Sequence, residues 1–199
     1  MAVLNGKQGT LVLILGPSGV GKSAIVKRLR ATHSEWHFPR SATTRAQREG
    51  EGTDLYHFVT DEEFDQLLQT DRVLEWATIH DGGRYATLAD EIIPPLEQGQ
   101  TVVREVDVQG FDSIRKNHRF AGDHPSHRMA SIFILPGSKE ELIERIRKHA
   151  PMSDDELQRR LKSMEREMLY ADLCSVKIPN PEGHLEETAS QVELAIQRL

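Results

Sequence analysis

The chain has 199 residues, 38% hydrophobic and 28% charged, which suits one well-filled globular core better than a disordered chain. A formal charge of -6 without a sustained basic stripe argues against a dedicated nucleic-acid binder. The longest apolar run near the start, Leu11 to Leu15, is too short for a membrane span or a signal segment, so a cytoplasmic protein is expected. The single cysteine, Cys174, can form neither an internal disulfide nor a thiolate metal site.

Thr10 to Leu15 is an unbroken apolar run ending at Gly16, the pattern of a strand buried on both faces of a parallel sheet. SAIVKRLRATH follows as a helix. The polar segment SATTRAQREGEGTDLYHF reads as a lobe or binding loop, and a helix opened by a Thr60-to-Glu63 capping box follows it, with Phe64, Leu67 and Leu68 on one face. TVVREVDVQG, residues 101 to 110, alternates and is β-branched, which predicts a second strand carrying Val103, Glu105 and Asp107 on one face. Arg104 falls on the other, Val-rich face, where an unpaired charge is costly. SIFILP, residues 131 to 136, is the third strand candidate. After it come a helix around KEELIERIRKH, Pro151, and a helix opened by a Ser153-to-Glu156 box with Leu157, Leu161, Met164 and Met168 as its stripe. A last helix runs from about Glu186 to Leu199. Strands and helices that alternate without an internal repeat predict an α/β protein with a mostly parallel sheet flanked by helices. The acidic run around Glu49 and Glu51 and the nine histidines show no metal spacing and read as solvated surface.

Gly16-Pro17-Ser18-Gly19-Val20-Gly21-Lys22-Ser23 has the spacing of a phosphate-binding loop, and it lies where such a loop must, between a strand and a helix. Glycines let the backbone wrap so that several N–H groups face one anion, and the helix adds its positive N-terminal end. Lys22 reaches the β- and γ-phosphates, and Ser23 supplies a hydroxyl to a magnesium ion otherwise held by water and phosphate oxygens.

Together, GPSGVGKS, TTR, LYHF, EWA, RYAT and VDVQG resemble, in order and approximate spacing, the motifs of guanylate kinases, P-loop enzymes that move a phosphoryl group from ATP to GMP. The resemblance runs from about Thr10 to the last helix and implies a P-loop NTPase fold in one domain. Its core would be about 8–40, 96–140 and 170–199, with an inserted acceptor-binding lobe at about 41–90 and a helical lid at about 141–165. Ser41, Arg45, Arg48 and Tyr56 then match residues that hold the acceptor nucleotide, and the arginine pair suits forked contacts to one phosphate. Glu75 matches the carboxylate that reads the guanine N1–H and amino group. Tyr85 resembles a further phosphate ligand, Thr87 stands near the guanine, and Asp107 matches the second acid of the family's DxDxQG. Trp76 and Phe58 are expected to pack. On the donor side Arg145 and Arg160 resemble lid arginines, and Asn180 the residue near the adenine. Lys22, Arg45, Arg145 and Arg160 would carry the catalysis, with Mg2+ as cofactor, ATP and GMP as partners, and a monomer or homodimer as the working form.

Three features depart from the family. The lid's usual GRG is Lys148-His149-Ala150: either Arg147 or Lys148 compensates for the lost arginine, or His149 acts as a conditional cation, and the second case predicts a rate that falls between about pH 6 and pH 8 and is restored by His149→Arg. Arg104-Glu105 replaces the usual Leu-Asp, and Pro94-Pro95 is expected to interrupt the helix after Thr87. Two alternatives share the fold. One is a kinase of another phosphorylated small molecule such as ribose bisphosphate, against which Ser41, Glu75 and Asp107 argue; the other is a non-catalytic binding module, against which the intact phosphate loop argues.

Overall fold

The computed structural model describes residues 8–78, 82–122, 125–149 and 153–199, apart from the side chains of His149 and Asp154. The chain divides into two compact units, one built mainly from Glu35–Val102 and Gln109–Arg128, the other from Val12–Ser34, Val103–Val108 and Met129–Leu199.

The second unit carries the phosphate loop. Its sheet has the order β6-β1-β7-β8, formed by β1 (Thr10–Leu15), β6 (Val102–Glu105), β7 (Arg128–Pro136) and β8 (Val176–Asn180), with β8 parallel to β7. Leu11 to Leu15 are fully buried, as an unbroken apolar run requires of a strand covered on both faces. α1 (Lys22–Thr32) and α7 (Leu185–Gln197) pack together and are tied by Arg28 Nε to Glu186 at 2.8 Å. α5 (Lys139–His149) and α6 (Asp154–Met168) follow the expected bounds, and Ser153 caps α6 by accepting the Glu156 N–H. Leu157 and Met164 are the buried part of its stripe, while Leu161 and Met168 are half-buried.

The first unit holds a second four-stranded sheet, order β3-β2-β5-β4, from β2 (Ser41–Thr43), β3 (Tyr56–Phe58), β4 (Val73–Thr78) and β5 (Arg84–Leu88). β2 pairs parallel with β3 and antiparallel with β5, and β4 pairs antiparallel with β5. One face buries Ala42, Ala86 and Leu88 against Phe64 of α2 (Asp61–Gln69), whose Thr60–Glu63 capping box is complete. Arg84 stacks over the Phe64 ring at 4.4 Å and pairs with Asp61 and Asp65, fastening β5 to that helix.

Two expectations need correction. The 101–110 strand is shorter, because the chain leaves the sheet after Glu105 and Val108 opens α4 (Val108–Lys116). The signal for that helix is the apolar pair Phe111 and Ile114, both buried, which lies beyond the alternating window. Pro94-Pro95 does not interrupt α3 (Ala89–Glu97). Each proline removes one helical N–H, but burial of Ile92 and Leu96 holds the turn in place, and Gln98 N–H closes it onto the Pro94 and Pro95 carbonyls at 3.1 Å.

Candidate active site

In the second unit the loop from Gly16 to Ser23 joins β1 to α1. Gly16 has φ +146°, and a Cβ there would come within 2.5 Å of the Ile134 carbonyl, so no side chain fits. Gly21, at φ +103°, caps α1 and faces the Asn180 amide, which a Cβ would approach to 2.7 Å. Asn180 is 3% exposed and spends both ends of its amide: Nδ2 donates to Val20 O at 2.8 Å and Oδ1 accepts from Thr188 Oγ1 at 3.0 Å. Arg145 reinforces the same wall by donating to Asn180 O at 3.1 Å and Val20 O at 3.4 Å.

Lys22 folds over the loop, donating to Gly16 O at 2.7 Å and Pro17 O at 3.1 Å. Burial pulls its ammonium below the ordinary lysine value, and the carboxylates of Glu105, Glu167 and Asp107 oppose that shift. Ser23 Oγ donates to Glu105 Oε1 at 3.1 Å, so a hydroxyl and a carboxylate meet beside the loop. This pair of hard oxygen donors fits Mg2+. Glu167 of α6 accepts the Ser18 N–H at 3.0 Å and the Ser163 hydroxyl at 2.9 Å.

In the first unit, sheet register sets the side chains out in order. Tyr56, Ser41, Thr87 and Glu75 are successive partners across β3, β2, β5 and β4, so all four stand on the face opposite Phe64. Ser41 and Thr87 are buried at the centre of that row, and the Thr87 hydroxyl donates to Glu75 Oε1, fixing the carboxylate. The next row brings Phe58, Thr43 and Tyr85 to the same face. Arg45, just past β2, donates from Nε to the Tyr85 hydroxyl at 3.0 Å and lies 5.4 Å from the ring centres of both Tyr56 and Phe58. Its guanidinium forks onto Glu51 at 2.7 and 2.9 Å, which raises the Arg45 value further. The Arg45 hydrogen bonds, then the Arg48 N–H, hold the Glu51 carboxyl at about 2.

Ser41, Arg45, Tyr56, Glu75, Tyr85 and Thr87 are thus gathered on one sheet face, and Gly16 to Ser23, Asn180 and Arg145 around one loop. Arg48 contributes its backbone N–H to Glu51 while its side chain is exposed. Arg160 is paired with Glu156 along its own helix at 3.1 Å. The His149 side chain and Ala150 lie outside the described residues. Lys148 pairs with Glu144 at 3.0 Å and Glu182 at 3.4 Å. Arg104 is half-buried.

Sequence reasoning missed Glu51, Glu167 and the seat that Phe58 gives Arg45. Glu51 is not solvated surface, and neither are all the histidines: His33 and His127 are buried, and His57 Nε2 meets Glu91 Oε1 at 2.7 Å. The signal that could have found Glu51 is a glutamate six residues after an arginine across Gly50, whose φ of +75° marks a turn.

Comparison with known proteins fits this arrangement. The sequence profile of the guanylate kinase family matches residues 8–199. The chain is 35% identical over 190 residues to the guanylate kinase of Tropheryma whipplei, covering 95% of this chain and 93% of that one. It is 37% identical over 190 residues to that of Thermosynechococcus vestitus, covering 94% and 93%. The crystal structure of guanylate kinase from Anaplasma phagocytophilum superposes with a TM-score of 0.67 over 97% of this chain and 87% of that one, at 24% identity. With a phosphate loop in one unit, a carboxylate-and-arginine face in the other and a match along nearly its whole length, the chain belongs to the guanylate kinase family.

Proposed function

We propose that this chain transfers the γ-phosphoryl group of Mg-ATP to GMP, and also to dGMP, giving ADP and the nucleoside diphosphate. The observation that carries this reading is the row Tyr56–Ser41–Thr87–Glu75, with the Arg45 cation beside its phosphate end. Glu75 accepts from the guanine N1–H and amino group, a donor pair adenine lacks, and the Thr87 hydroxyl holds it in place. A site built to meet such groups rejects analogues without them by large factors, since its own polar atoms are left bare. Ser41 serves the base end and Arg45, Arg48, Tyr56 and Tyr85 take the phosphate, while Asp107 is the further GMP ligand that membership of the family implies.

On the donor side the loop N–H groups and Lys22 hold the β- and γ-phosphates, with Arg145 and Arg160 covering the migrating group and Asn180 bracing the loop near the adenine. Ser23 and Glu105 are the residues that would hold Mg2+, which when bound neutralises charge on the phosphate oxygens. The acceptor phosphate is already an anion at neutral pH, so no general base is needed, and rate comes from positioning and charge cancellation. The protein works in the cytoplasm as a monomer or homodimer. Among the described residues no helix is long and apolar enough to cross a membrane.

The test is ADP formation from Mg-ATP with GMP, dGMP, AMP, UMP and CMP, with Lys22→Ala as the blank. Turnover restricted to the guanine nucleotides supports the reading. Equal turnover with AMP, or none with GMP in folded protein that binds ATP, overturns it.

A further inference from the structure

Glu51 occupies the Nη1–Nη2 edge of the Arg45 guanidinium. Its Oε1 takes Nη2 at 2.7 Å, its Oε2 takes Nη1 at 2.9 Å, and Oε2 also accepts the Arg48 N–H at 3.0 Å. Two parallel N–H bonds plus a backbone N–H are the contacts by which a guanidinium and a loop grip a phosphate. The turn is shaped to deliver this carboxylate: Glu51 N–H closes onto Arg48 O at 3.1 Å, and Gln47 Nε2 donates to Glu51 O at 2.6 Å. A phosphate cannot share that edge, because a carboxylate and a phosphate dianion on one guanidinium repel each other at contact distance.

Arg45 has other supports. Nε is held by the Tyr85 hydroxyl at 3.0 Å, Nη1 by Ala46 O at 2.7 Å, and the Tyr56 and Phe58 rings flank the cation at 5.4 Å. Removing the Glu51 charge therefore leaves the guanidinium in its orientation. What changes is the competition for its open edge.

We propose that Glu51 is a built-in surrogate for the acceptor phosphate, exchanged for it each time GMP binds. This rests on the acceptor-site reading above. Binding then swaps one anion for another on Arg45, so the affinity gained at the phosphate end is only the difference between the two. Glu51 sets that difference, and with it the concentration range over which the enzyme responds to GMP.

The experiment measures KM for GMP, KM for ATP and the inhibition constant of guanosine, which lacks the phosphate, for the wild type, Glu51→Gln, Glu51→Ala and Arg45→Ala, each checked for folding by its thermal melt. Glu51→Gln is expected to lower KM for GMP about fivefold while guanosine inhibition and KM for ATP stay at wild-type values. Glu51→Ala is expected to move KM the same way. An unchanged or raised KM for GMP in both variants overturns the proposal, as does an equal gain in guanosine binding, which would signal a loosened lobe rather than a freed cation. Arg45→Ala separates the two layers. If it raises KM for GMP while the Glu51 variants fail to lower it, only the surrogate role is lost; if it leaves KM for GMP unchanged, the acceptor-site reading falls and the proposal with it.

Discussion

Replacing Asn180 by alanine tests how the phosphate loop is held. The change removes two buried hydrogen bonds, Nδ2 to Val20 O at 2.8 Å and Thr188 Oγ1 to Oδ1 at 3.0 Å, beside a glycine with no side chain to fill the space. Neither surviving group is fully stranded, since Val20 O keeps Arg145 at 3.4 Å and the Thr188 hydroxyl keeps Pro179 O at 3.2 Å. The cost per bond therefore sits near the lower end of the range for buried groups, about 1 kcal/mol each, and the lost packing brings the total to about 2–3 kcal/mol. For a chain of this size that is a drop in Tm of about 5–10 °C. Thr188→Val should cost about 1 kcal/mol alone. Because both residues share one bond, the double variant should cost less than the sum by about 0.5–1 kcal/mol. Differential scanning calorimetry on the four proteins gives the cycle, and KM for ATP reports on the loop and should rise in Asn180→Ala while KM for GMP holds. A Tm within about 2 °C of wild type, or strict additivity, would refute the view that this amide pins the loop.

Other outcomes follow from the same geometry. Glu75→Gln should raise KM for GMP at least about tenfold with little effect on KM for ATP, because an amide cannot accept from both guanine donors; steady-state kinetics with each substrate varied checks this. Glu91 is pushed up by burial, but hydrogen bonds from His57, the Arg40 backbone and the Arg40 guanidinium outweigh this and hold its carboxyl at about 2, below the ordinary 4.5. A depressed carboxyl stabilises the fold above its unfolded value and loses that contribution as pH falls through the folded one. Glu91→Gln should thus cost about 1–2 kcal/mol at pH 4.5, and urea unfolding should show the gap from wild type closing towards pH 2. A gap that stays constant across that range would count against the pairing.

What the sequence disclosed and what it hid have physical reasons. The phosphate loop was legible because its backbone geometry admits few residues, so Gly16, Gly21, Lys22 and Ser23 stand out at any level of similarity. β1 and α5–α6 were legible because their apolar spacing is complete within the element and Ser153 marks where α6 opens by accepting the Glu156 N–H. The lobe strands β2 and β3 have three residues each, too few for alternation to register, so the row that aligns Ser41 with Tyr56 and Thr87 emerges only from pairing. Glu51 and Glu167 were hidden for another reason. A glutamate in a polar loop or on a helix reads as surface whether or not it meets an N–H donor, and that donor comes from turn geometry in one case and from a distant loop in the other.

The row across the lobe sheet also works as a ruler. Three interstrand gaps separate Tyr56 on β3 from Glu75 on β4, which at the usual spacing is about 14 Å between strand axes. A ligand that meets both ends is held at two points joined by its own ribose, so the second contact forms at a high effective concentration. A free base or a free phosphate can satisfy only one end and forfeits that advantage. Under the proposed acceptor site, substrate length would be set by the hydrogen-bond register of four short strands, and a one-residue slip of β5 would turn Thr87 to the other face and erase the scale.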